Sequence, residues 1–190
     1  MMKKNLFVAV FKVGHYIRII SPNSEISYVR AATGGIAALR RDVEGVTETV
    51  THIGNLNLHV FTPEGTASKS AIYYIHGGNY LMGAFPWYST YLKNMAKETG
   101  SKIIAPDYRL APENPFPVPF DDCMEGIEYL FKNADSLGVN PENVVLAGDS
   151  TGATMALAAS LTMTEKKFKS KILHPPSPLN ERFKKIMKLN

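Results

Sequence analysis

A chain of 190 residues with 45% apolar and 20% charged side chains has the balance of a soluble globular domain, which argues against disorder. Its net charge of +4 gathers toward the C-terminus, in Lys166, Lys167, Lys169 and Lys171 and then Arg182, Lys184, Lys185 and Lys188. Only Phe168 and Phe183 lie among these cations, so they read as a solvated tail, and no nucleic-acid partner is expected.

At the N-terminus, Lys3 and Lys4 precede an apolar run from Leu6 to Phe11 that imitates a signal peptide. Lys12 interrupts the run, no small-residue cleavage site follows, and it falls far short of the roughly 20 apolar residues of a spanning helix. The expectation is a cap- or core-packing helix, with peripheral membrane contact through a basic amphipathic helix left open. The single cysteine, Cys123, cannot form an internal disulfide and suits a reducing compartment, so a cytoplasmic or membrane-peripheral location is expected.

The first forty-odd residues predict helices ending near Arg40-Arg41-Asp42. A β pair follows, from Val46 to Ile53 and through Leu56, Leu58 and Val60, with Gly54-Asn55 as a hairpin turn. Ala71 to Ile75 predicts a short buried strand that ends in His76-Gly77-Gly78. A helix over 88–99 closes at Gly100, and Lys102 to Ala105 gives the next strand. After a proline-rich stretch, Asp121 or Asp122 is the expected N-cap of a helix carrying Met124, Ile127, Leu130 and Phe131. Val144 to Ala147 reads as a buried strand, Thr151 to Thr162 as an apolar helix, and Ile172-Leu173 as the start of one more strand. The alternation of strands and helices from the third strand onward implies a mostly parallel sheet with helices on both faces. Such sheets hold ligands at the carboxyl ends of their strands, where His76-Gly77-Gly78 and Ser150 both fall.

Gly148-Asp149-Ser150-Thr151-Gly152 has the form G-x-S-x-G between a buried strand and a helix. That is the setting of a nucleophile elbow, a turn too tight for side chains at Gly148 and Gly152 that thrusts a serine hydroxyl outward. The N–H of Thr151, at the helix N-terminus, is the natural first donor to an oxyanion. The loop His76-Gly77-Gly78-Asn79 brings further backbone N–H groups toward the same edge.

"YYIHGGNYLMG", "APDYRLAPENPFP" and "GDSTGA" resemble the hormone-sensitive-lipase family of α/β-hydrolases, in particular its arylacetamide-deacetylase-like esterases. The resemblance runs from about Ala71 to Ala159 and implies the α/β-hydrolase fold, with no metal and no organic cofactor. It implies a carboxylesterase or deacetylase acting on small hydrophobic esters or amides. By carry-over, Ser150 is the nucleophile, and Gly77, Gly78, Asn79 and Thr151 serve the oxyanion hole. His76, Gly148, Asp149 and Gly152 support the motifs, and Asp107 to Glu113 form a structural segment. The chain departs from the family at Asn79, where a third glycine is usual, and at Thr151 and Ala153.

In this fold the triad runs Ser, then Asp or Glu, then His. Beyond Ser150 the chain has one histidine, His174, and two acids, Glu165 and Glu181. His174 lies too early for the family's catalytic loop and reads as a strand-end histidine. The expectation is therefore a partial hydrolase truncated after the elbow helix, with an incomplete triad, impaired turnover and an uncovered apolar helix face. Its expected segments are a helical cap-like 1–45, a partial core 46–174 and a basic tail 175–190. The alternative is a noncatalytic ligand-binding protein on the same fold.

Overall fold

The computed structural model describes residues 30, 42–83, 85–165 and 171–172. The expected N-terminal helices and basic tail lie outside these residues, apart from Arg30 and the stretch from Asp42 onward. Strands β1 (Val46–Ile53) and β2 (Leu56–Pro63) form an antiparallel hairpin in which Ile53 faces Leu56. That register leaves a two-residue turn, and Gly54 fills its left-handed position at φ +53°. The remaining elements are β3 (Ala71–Ile75), α1 (Phe85–Thr99), β4 (Lys102–Asp107), α2 (Val118–Lys132), β5 (Val144–Gly148), α3 (Thr151–Glu165) and the short β6 (Lys171–Ile172).

The strands lie in the order β1-β2-β4-β3-β5-β6, with β3, β4, β5 and β6 parallel, β2 antiparallel to β4 and β1 antiparallel to β2. Alternate residues of the strands feed two cores. Leu58, Val60, Tyr73, Ile75, Ile104 and Leu146 pack with Ile127 and Leu130 of α2 and with Met155 and Ala159 of α3. Phe61, Tyr74, Ile103, Ala105 and Ala147 pack on the other face with Leu92 and Ala96 of α1. Each such fully buried Leu or Ile contributes about 1.5–3 kcal/mol, and burial on both faces explains why β3 and β5 read as nearly unbroken apolar runs. This is the α/β-hydrolase architecture expected from the sequence.

One expected boundary is wrong. Helix α2 begins at Val118, after Pro117 in the N-cap position with no side-chain cap, so neither Asp121 nor Asp122 is the N-cap. Proline serves there because the first turn has no use for its missing N–H. Asp122 instead turns inward, 1% exposed, and accepts from the Arg109 backbone N–H at 2.9 Å and from its guanidinium at 2.6–3.3 Å.

Candidate active site

Strands β3 and β5 are neighbours, and Ile75 is in register with Gly148. The two chains therefore leave the sheet at the same level, which sets His76–Asn79 against Asp149–Thr151. The elbow is tight. A Cβ on Gly148 would stand 2.5 Å from the Ile75 carbonyl oxygen, and one on Gly152 would overlap the carbonyls of Ile75 and His76. Ser150 takes φ +49°, a left-handed conformation that serine rarely adopts, and its residue is exposed. Thr151 follows as the first residue of α3, where free N–H groups and the helix dipole favour negative charge.

The glycine loop divides its N–H groups among different tasks. Gly77 N–H donates to Asp149 Oδ1 at 2.9 Å, so Gly77 is drawn into supporting the loop and its expected place as an oxyanion donor is taken. Asn79 N–H donates to Thr151 Oγ1 at 3.1 Å. Among the described residues, no protein acceptor receives the N–H of Gly78 or of Thr151. Gly78 has φ +123°, and a side chain there would run into the Met82 carbonyl. Asn79 and Tyr80 are both left-handed, at φ +55° and +62°, which asparagine tolerates better than most residues and tyrosine does not.

Asp149 is the centre of the support. Besides Gly77, it accepts from Tyr74 OH at 2.9 Å through Oδ1 and from Tyr88 OH at 3.2 Å through Oδ2. Burial, followed by the Asp149 charge, pushes both phenols well above their ordinary pKa, so they stay protonated donors. His76 stacks on Tyr108 with ring centroids 4.1 Å apart, and its Nδ1–H donates to Gly77 O at 2.7 Å. Burial lowers its pKa, while the Gly77 carbonyl and Asp149 pull the other way. The ring thus contacts both the glycine loop and the segment after β4.

The segment after β4 completes the frame. Tyr108 OH donates to His76 O at 2.8 Å, and Ala111 N–H donates to Tyr80 O at 2.9 Å. Arg30 spans both stretches, donating to Leu81 O at 2.7 Å, to Ala111 O at 2.6 Å and to both oxygens of Glu113. Sequence analysis placed Tyr108 within the structural segment Asp107 to Glu113 and Tyr74 in a quoted motif, but gave no partner to Tyr74, Tyr88, Tyr108 or Arg30. Tyr74 sits in an apolar run, Tyr88 in a helix and Tyr108 in a polar loop, and neither they nor Arg30 carry a local signal of partners that lie far away in the chain.

A cleft of about 660 Å³ opens beside the elbow, lined by Asn79, Tyr80 and Leu81 of the loop, by Phe116 and Phe120, and by Thr154, Met155, Ala158 and Thr162 of α3. Its walls are largely apolar. Ser150 is not among its lining residues, but the loop and the first turn of α3 join the two. Among the described residues, Ser150 Oγ has no histidine within hydrogen-bonding distance: His52 bonds Asn57, His59 pairs with Glu48, and His76 is turned to Gly77. His15 and His174 lie outside the described residues. Among the described residues no group of three or more His, Cys, Asp or Glu comes together as a metal site, and no helix is long and apolar enough to cross a membrane.

Comparison with known proteins gives the same picture. The family described as alpha/beta hydrolase fold matches residues 72–187. An AB hydrolase superfamily protein of Schizosaccharomyces pombe is 35% identical over 104 residues, which are 53% of this chain and 30% of that one. An acetyl esterase of Salmonella paratyphi B is 31% identical over 116 residues, 61% of this chain and 36% of the relative. The solved structure of a hormone-sensitive lipase from a metagenome library superposes with a TM-score of 0.71 at 26% identity, covering 89% of this chain and 56% of that one. The chain thus spans about a third of the length of these two sequence relatives.

Proposed function

Because this chain belongs to the alpha/beta hydrolase fold family, we propose that its site is built for carboxylic ester hydrolysis with Ser150 as the nucleophile. The observation that carries this reading is the elbow: an exposed serine at φ +49°, next to two backbone N–H groups, those of Gly78 and Thr151, that have no acceptor among the described residues. In the reaction, Ser150 Oγ attacks the ester carbonyl, and the oxygen that becomes negative is met by preorganised donors. Removing one such donor typically costs about 2.7–4 kcal/mol of transition-state stabilisation. Gly78 and Thr151 are the donors in this proposal, Asn79 is held by the Thr151 hydroxyl, and Gly77, His76 and Asp149 keep the loop in place.

The apolar cleft supports a small hydrophobic acyl or alcohol group as the part of the substrate that is buried. The names of the relatives, an acetyl esterase and a hormone-sensitive lipase, support ester substrates. The arylacetamide-deacetylase-like assignment, which would add amides, rests on the three sequence motifs. No described residue is assigned as the base that takes the Ser150 proton. The same lack of a histidine beside Ser150 favours, as the second reading, a protein that binds an ester-like or acidic ligand without turning it over.

Hydrolysis of p-nitrophenyl acetate and butyrate by the full chain separates the two. The esterase reading expects release of nitrophenol above the buffer rate, abolished by Ser150→Ala. Equal rates with and without the hydroxyl would refute it, and retained ligand affinity in both forms would establish the binding protein.

A further inference from the structure

We propose that the Thr151 hydroxyl gates the third donor of the oxyanion site, holding the Asn79 N–H until an anionic oxygen displaces it. The inference rests on the oxyanion reading of the elbow. Its own basis is the 3.1 Å hydrogen bond from Asn79 N–H to Thr151 Oγ1, which ties the glycine loop to the elbow across 72 residues. The left-handed turn at Asn79, φ +55°, aims that N–H across the gap between the loop and α3. The N–H groups of Gly78, the preceding residue, and of Thr151, across the gap, have no acceptor among the described residues, so the hydroxyl sits on the one donor of the three that is occupied.

A neutral ester carbonyl is no better an acceptor than a hydroxyl and has no advantage in competing for this N–H. An oxygen carrying negative charge forms a hydrogen bond roughly twice as strong and can displace Oγ1 by rotation of the Thr151 side chain. The gate therefore reserves Asn79 for the charged species and confines neutral ligands to Gly78 and Thr151. Thr151 in this proposal is a positioning residue acting through the Asn79 amide.

The test uses the isotope-labelled full chain, with Thr151→Val removing the hydroxyl at nearly constant shape and Thr151→Ser keeping it. Without ligand, Asn79 amide exchange should accelerate about fivefold in Thr151→Val, the worth of one ordinary hydrogen bond, and stay near wild type in Thr151→Ser. Phenylphosphonate, titrated into all three, should bind about fivefold more tightly to Thr151→Val. Unchanged Asn79 exchange in Thr151→Val overturns the gate. So does weaker phosphonate binding in that variant, which would make the hydroxyl a donor to the ligand instead. If phosphonate moves neither the Gly78 nor the Thr151 amide in any form, the oxyanion reading itself fails, whatever the exchange data give.

Discussion

Three donors converge on the Asp149 carboxylate: Gly77 N–H, Tyr74 OH and Tyr88 OH. Replacing it with alanine leaves all three without their acceptor beneath the glycine loop, and a loss of about 2 kcal/mol in urea unfolding is expected, with Asp149→Asn milder because one acceptor oxygen remains. A variant as stable as wild type would show that the loop is held by other means. His76 makes a pH prediction of defined sign. Burial lowers its folded pKa below the ordinary 6.5, so below that pH the unfolded chain takes up the proton first. Its contribution to stability is complete above pH 6.5 and is lost as pH falls from there through the folded value. Unfolding midpoints measured from pH 8 down to pH 5 should therefore fall more steeply for wild type than for His76→Gln, and parallel curves would contradict the assignment. Gly152 tests the elbow's tightness: Gly152→Ala forces a Cβ onto the Ile75 and His76 carbonyls and is expected to lose about 3 kcal/mol.

Among the elements, β3, β5 and α3 were legible because their apolar runs and glycine punctuation are local signals, and both motifs lie on strand ends the pattern defines. Helix α2 was misread at its start. Asp121 and Asp122 look like caps, yet proline at the first turn begins the helix earlier and frees Asp122 for Arg109, a partner thirteen residues away. Local propensity cannot see such a pairing. Nor can it see that Asp149 takes the Gly77 N–H, which changed the expected donor set, since that contact spans 72 residues. The Arg109–Asp122 pair also fixes the geometry of the segment that carries Tyr108 and Ala111. Arg109→Ala strands a buried carboxylate, though one that keeps a backbone donor, and Arg109 itself is 38% exposed. The expected loss in denaturant unfolding is about 2 kcal/mol, below the value for a fully buried pair.

At the level of the whole molecule, one sheet carries two cores, and the site stands where the parallel strands end. The α3 face leaves Leu157 43% and Leu161 62% exposed. Leu161→Glu should change unfolding stability by less than about 0.5 kcal/mol, as for other exposed positions, whereas a larger loss would mean that the face is covered in solution. The proposed chemistry stands on a fold that presents Ser150 as a nucleophile beside preorganised donors. Incubating the full chain with a fluorophosphonate and locating the adduct by peptide mass spectrometry tests this most directly. A phosphonyl adduct on Ser150 and none in Ser150→Ala is expected; an adduct on another residue, or equal labelling of both proteins, would contradict the nucleophile assignment.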